Sequence, residues 1–467
     1  MRSLKTKEDT ASKEELKEVI KDIAEAAEEN FIKLKTEIAK LKTDQASLKS
    51  KQLWQLKKEL CPKSRDAPTA MNDKYGNPIT SDQALKRLVL DAYTERLKGN
   101  TIKAHLEDLE KDTNTLCEIR LKTSKTNKTE PWTMNDLKEV LKQLGNNNSR
   151  DPEGHANEIF KESVAGTDLL EAVLKIMNLI KSKQTYPHIL QKCNITSIHK
   201  KKSKKHIKNY RGIFRVQILR SILDRLTYND CYYTIDNNLT DGNVGGRKER
   251  SVRDNIFVIN AIINSVTNGD CAPIQVQIMD AEKCFDKLWL QSCINAVYDA
   301  GITNDHLNIL YIENKKAQIA VKIKGKISTR ISVHDVIMQG SVWGSLKCTT
   351  VMDQLNKTAI SDKSLLYNYK GETNIPVGIL GMVDDTLAVA ECGNNSIKKN
   401  AVVNSFKETQ RLTLPTDKSA VLHYGQESKC KLPCPTLKVH TENMHRKRVH
   451  QIFREYTVHK RRPRSNH

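Results

Sequence analysis

Two adjacent acids, Asp384 and Asp385, interrupt an otherwise apolar run from Val377 to Ala390. Neighbouring carboxylates repel and lose hydration if packed, so the pair suits a turn with a cation between its members. Read alone, it is equally a solvated turn. A third acid, Asp280, follows the strand-like run Ile274-Gln275-Val276-Gln277-Ile278-Met279. Three carboxylates on neighbouring strand ends can hold two Mg²⁺ ions, with Mn²⁺ as an alternative. That donor set serves phosphoryl transfer.

Such acids need elements to hold them. Apolar residues on both sides of Asp384-Asp385 read as two short strands joined at the acids. After Asp280 the spacing of Phe285, Leu288, Trp289, Cys293, Ala296 and Val297 reads as one face of a helix. Alternating Ile319, Val321, Ile323, Gly325, Ile327, Ile331 and Val333 read as a hairpin turning near Gly325. Residues 80–185 look mainly helical, with a polar break from Gly145 to Gly154. A basic run from His199 to His206 is followed by a helical pattern through Leu219, Ile222, Leu223 and Leu226. At the N-terminus, Leu16, Ile20, Ile23, Ala27, Phe31, Leu34, Ile38, Leu41, Gln45 and Leu48 recur at steps of four and three. This reads as a coiled coil with one stutter, or as a single helix packed on the rest of the chain. Self-association through residues 16–48 is the use expected of a coiled coil, and Pro62 ends the pattern.

The 467 residues allow two to four domains. A net charge of +21 fits a polyanionic partner, although membrane surfaces attract the same sign. There is no apolar run of membrane-spanning length and no signal-peptide pattern, so no membrane partner is expected. Eleven cysteines without regular spacing point to a reducing intracellular compartment, nucleus or cytoplasm. Cys430, Cys434, His440 and His445 have a suggestive metal-ligand order. The loop between the pairs is too short for a zinc finger, and the spacing reads as coincidence.

From about Trp132 to Tyr424 an ordered set of blocks then resembles the reverse transcriptase region of non-LTR retrotransposons. Ser149-Arg150-Asp151-Pro152-Glu153-Gly154 resembles the loop before the fingers, and Asn209-Tyr210-Arg211-Gly212-Ile213 the Asn-Tyr-Arg-Pro-Ile block. Gly245-Gly246-Arg247-Lys248-Glu249-Arg250-Ser251 is similar to the Gly-Phe-Arg-Lys-Gly-Arg-Ser block. Asp280 to Asp286 resembles the first palm motif, Gln339-Gly340 the second, and Met382-Val383-Asp384-Asp385 the aromatic-Ala-Asp-Asp box.

The resemblance implies an α+β fold with right-hand polymerase fingers and palm, an antiparallel palm sheet with helices, and a long N-terminal helix before it. The segments expected are 1–60 as the charged helix, 61–130 as a helical connection, 131–270 as fingers, 271–425 as palm and 426–467 as a basic tail. The implied activity is an RNA-directed DNA polymerase, with an RNA template, a DNA primer and dNTPs as partners. Asp280, Asp384 and Asp385 would hold the metal ions. Lys418 would protonate the departing pyrophosphate or be a plain surface lysine. Phe285 would sit under the incoming sugar and exclude a 2′-hydroxyl, or serve core packing. Arg211, Arg247 and Arg250 would clamp phosphates or be solvated charges, and Gln339-Gly340 would let the backbone approach the templating pair. Lys200, Lys201, Lys202, Lys204 and Lys205 read as template contacts, an import signal or a solvated loop.

Three departures stand out. Met382 replaces the aromatic residue of the box, and Ser341-Val342-Trp343 follows Gln339-Gly340 where the family has Asp-Pro and a small residue. No primer-grip block or thumb pattern follows Tyr424. The alternative expectation is therefore a catalytically inactive truncated remnant, acting at most as a nucleic-acid-binding or coiled-coil interaction protein.

Overall fold

The computed structural model describes residues 71–446 apart from 98–103, 147, 162–165, 201–202, 324–325, 336, 370–374, 427, 429, 431–435 and 440–441. The chain divides after Ala67, and every described residue belongs to the second unit, Pro68–His467. The heptad pattern at residues 16–48, Lys201 and Lys202 of the basic run, and Cys434 and His440 lie outside the described residues.

Four helices come first: α1 (Asp82–Leu97), α2 (Glu107–Thr126), α3 (Met134–Gln143) and α4 (Thr167–Lys183). Strands β1 (Lys192–His199) and β2 (Tyr210–Val216) follow, then α5 (Ile218–Asn237), α6 (Val252–Thr267) and β3 (Ile274–Met279). Next come the short α7 (Cys284–Lys287), α8 (Leu290–Asp299), α9 (Asp305–Lys315), β4 (Lys316–Ile323) and β5 (Ile331–His334). The long α10 (Val342–Ser361), β6 (Ile379–Met382), β7 (Asp385–Glu391), α11 (Asn394–Thr409) and β8 (Ala420–Tyr424) complete the larger elements. The architecture is α+β.

One sheet joins β2, β1 and β4, with β1 antiparallel to β2 and parallel to β4. The other edge of β4 carries β5 and the strand Lys326–Ile327, which turns back on Ile323 as the alternating pattern implies. Leu85, Val89 and Tyr93 recur every four residues on α1 and so share one face. They pack on Cys193, Ile195, Ile319 and Val321 of this sheet.

The second sheet runs β6-β7-β3-β8, all antiparallel. Central β3 is covered on both faces. Ile274 and Val276 meet Ile259, Ile262 and Val266 of α6. On the opposite face Gln275 and Gln277 are buried against α11. Gln277 Nε2 donates to the Ser396 carbonyl (2.9 Å), and its Oε1 accepts from Asn400 Nδ2 (3.3 Å). The Ile-Gln alternation thus marks two buried faces, one apolar and one hydrogen-bonded.

Two sequence expectations are corrected. The helix read from Phe285 to Val297 is broken: α7 is a single turn, and Leu288 and Trp289 are extended (ψ 133° and 124°) before α8. Both side chains are buried. Extended backbone sends consecutive side chains to opposite sides, so both reach apolar surroundings where a helix would aim them along adjacent directions. The stretch after Tyr424 is also not all core-free tail. Leu437, Val439 and Met444 join the main core, and His445–Arg446 adds a parallel strand beside β8.

Candidate active site

The turn between β6 and β7 is the best-specified feature of the second sheet. Met382 pairs with Asp385, leaving Val383 and Asp384 as the two connecting residues. Val383 has φ +65°, a conformation that a β-branched residue rarely adopts. Asn243, itself buried, holds it there. Its Oδ1 accepts from the N–H groups of Val383 (3.3 Å) and Gly245 (3.0 Å), while its Nδ2 donates to the Val383 carbonyl (3.3 Å). A strap from Gly242 to Gly245 runs beside the hairpin. Val244 N–H donates to Gly381 O (3.1 Å), and Gly381 N–H donates to Gly242 O (2.8 Å). A Cβ on Gly245 would lie 2.2 Å from the Val383 nitrogen, so only glycine permits the approach.

This strap is what sequence reasoning missed, having read only its last glycine, Gly245, as the start of the block that resembles Gly-Phe-Arg-Lys-Gly-Arg-Ser. The available signal was an Asn followed by a Gly-Gly pair between two helical stretches.

The three acids meet at one end of the sheet. Thr386 is registered with Met279, which sets Asp385 across from Asp280. Burial and the neighbouring Asp385 raise the Asp280 carboxyl above its usual range, and Lys418 draws it back. Burial, Asp385 and Asp280 push Asp384 up to about 6. Two lysines supply partial compensation. Lys418 Nζ stands 3.4 Å from Asp280 Oδ2, and the buried Lys407 donates to the Asp384 carbonyl oxygen (2.9 Å) from α11. Lys407 had no sequence signal, because a lysine near a helix end ordinarily reads as solvated. Mutually repelling, oxygen-only donors that already recruit ammonium groups are a chemical fit for a hard divalent cation such as Mg²⁺.

The remaining candidates divide. Phe285 sits in α7, half-buried, packed against the main core and facing the start of α10 near Gly344. The Gln339 carbonyl accepts from Phe214 N–H (3.0 Å). Gly340, at φ +111°, lies where a Cβ would come 3.2 Å from Ile213 and from the Phe214 carbonyl, so Gln339-Gly340 lies against β2. Arg211 is exposed on β2. It joins Arg96, Lys283 and Lys200 in opposing the burial that raises the Asp286 carboxyl. Lys200 is exposed and within electrostatic reach of Arg211, Lys418, Asp280 and Asp286. Lys204 and Lys205 are exposed in the loop joining β1 to β2.

Arg247 requires correction as a phosphate clamp. It is buried, its Nε donates to Asp236 Oδ1 (2.7 Å), and its Nη atoms donate to the carbonyls of Thr240, Asn243 and Asp236. Its fork is spent on its own chain, fastening the strap that holds Val383. Arg250 is more exposed and pairs with Asp241 (2.5 Å) at the surface. The Ser341-Val342-Trp343 departure also has a local role. Ser341 Oγ caps α10 by accepting from Gly344 N–H (3.1 Å), and Trp343 is buried with its Nε1 donating to Asp224 O (3.0 Å).

No family model matches the chain. Among the described residues, no helix is long and apolar enough to cross a membrane.

Proposed function

We propose that the chain is an RNA-directed DNA polymerase of the non-LTR retrotransposon type, with the second sheet as palm and the first as part of the fingers. The observation that carries this reading is the meeting of Asp280, Asp384 and Asp385 at one end of a sheet whose connecting turn is held in a strained conformation. Strain of this kind persists only where the surroundings over-determine it, and it concentrates at functional sites.

Asp280, Asp384 and Asp385 would hold Mg²⁺, which when bound favours the ionised primer 3′-hydroxyl and offsets triphosphate charge. In the overall transfer the primer oxygen bonds the α-phosphorus and pyrophosphate leaves with its electron pair. Arg211 and Lys200, on the fingers hairpin facing the acids, supply positive charge for the triphosphate. Phe285 lies under the incoming sugar and excludes a 2′-hydroxyl by contact. Gln339-Gly340, fixed against β2, aligns the templating pair. Lys418 is the proposed proton source for pyrophosphate, once its Nζ leaves Asp280.

The test is extension of a DNA primer on an RNA template with dNTPs and Mg²⁺, comparing the chain with Asp384→Ala and Asp385→Ala. Extension should fall to background in both variants while hybrid binding persists. If the unaltered chain extends no better than the variants yet still binds hybrid, the enzymatic reading is refuted and a nucleic-acid-binding role stands in its place.

A further inference from the structure

At the end of β3 opposite the acids, three side chains from separate places in the sequence converge. Cys392 follows β7 directly, and its N–H donates to Pro273 O (3.0 Å), extending the ladder by one step. His423 lies in β8, registered with Gln275. Because Glu391 and Tyr424 are both registered with Ile274, Cys392 and His423 fall on the same face of the sheet. Cys430 comes from the segment after β8. One ligand atom from each of the three lies within 4.8 Å of the others.

From this convergence we propose a structural zinc site formed by Cys392, His423 and Cys430. The donor set is two thiolates and an imidazole, which suits Zn²⁺ and not the hard cation expected at the acids. Zinc–sulfur and zinc–nitrogen bonds of about 2.3 and 2.0 Å give a tetrahedron with edges of roughly 3.5–3.8 Å. The three donors therefore need to close by no more than about 1.3 Å. His423 rides on β8 and Cys392 directly follows β7, both flanking β3, so their backbones are already held by the sheet. Only Cys430 comes from outside the sheet. Three protein ligands leave a fourth position for water.

The site is separate from the acids. β3 spans six residues, which puts the two ends roughly 15–20 Å apart. The proposal is independent of polymerase activity, since it stands or falls on metal content alone. Cys430, whose spacing with Cys434, His440 and His445 reads as coincidence, here meets two residues that are distant in the chain.

The test is elemental analysis of the full chain purified without added metal, dialysed, and titrated with ZnSO₄. About one zinc per chain should be retained. Replacement by Co²⁺ should produce the intense near-ultraviolet charge-transfer absorption of thiolate ligands. Cys392→Ser and Cys430→Ser should each weaken retention by ~10-fold or more, whereas Cys271→Ser should not. Cys430→Ser matters most, because it alters a loop and leaves the strands intact. Circular dichroism checks that it remains folded. Zinc lost on dialysis from the unaltered chain overturns the site, as does zinc retained in the Cys392→Ser/Cys430→Ser double variant. A cobalt spectrum without thiolate absorption overturns it too.

Discussion

Removing the charge of Asp384 should make the protein more stable while destroying the proposed activity. The carboxyl ordinarily titrates at 3.8 and is pushed up to about 6 by burial and by Asp385 and Asp280. At pH 7 it is therefore ionised in a fold that opposes its charge. The rise corresponds to about 3 kcal/mol, and partial exposure to solvent reduces the expectation to about 2 kcal/mol. A group whose folded value is raised contributes fully below its unfolded value and loses that contribution as pH rises through the folded value. The Asp384→Asn advantage should accordingly be near zero below pH 4 and grow between pH 4 and 6. Above that it should level off near 2 kcal/mol, as an apparent property of the coupled acids. Urea unfolding of both proteins in EDTA from pH 4 to 7 measures it, and added Mg²⁺ should shrink the gap by stabilising only the unaltered chain. A variant less stable at pH 7, or a difference that does not change with pH, would refute the electrostatic reasoning.

Three further outcomes are expected. Asn243→Ala leaves the Val383 and Gly245 backbone groups short of partners and should cost about 3 kcal/mol in urea unfolding, with primer extension falling more than hybrid binding. Phe285→Val should preserve dNTP use but reduce discrimination against ribonucleotides by ~10-fold or more; unchanged discrimination in competition assays would leave Phe285 a packing residue alone. Arg247→Gln should destabilise by about 3 kcal/mol because it removes the buried ion pair to Asp236 and donors to three carbonyls, whereas Arg250→Gln should stay within about 0.5 kcal/mol.

Local patterns read well where one short segment carries the whole signal. The alternating run at 274–279 and the two apolar arms around Asp384-Asp385 are strands, and Asp280 is where the end of its run implies. What escaped depends on partners distant in the chain. No local feature of Lys316–Ile323 announces that it will lie parallel to Lys192–His199. Gln275 and Gln277 look solvent-facing until Ser396 and Asn400 satisfy them. The break at Leu288-Trp289 runs against a good helical period, because burying two large neighbours decided the backbone. Arg247 looked like its motif, but Asp236 and the strap carbonyls claim its guanidinium.

The strap at Gly242–Gly245 also bears on how such a chain would wear out under mutation. On the proposed reading, loss of the Asp384 carboxylate would remove chemistry yet leave a folded, even sturdier protein, so the lesion would pass any filter for solubility. A side chain at Gly245 has no such shelter, because backbone lies 2.2 Å from where it must go. Substitution at Asn243 or Gly245 would therefore register as lost folding, where substitution of Asp384 would not.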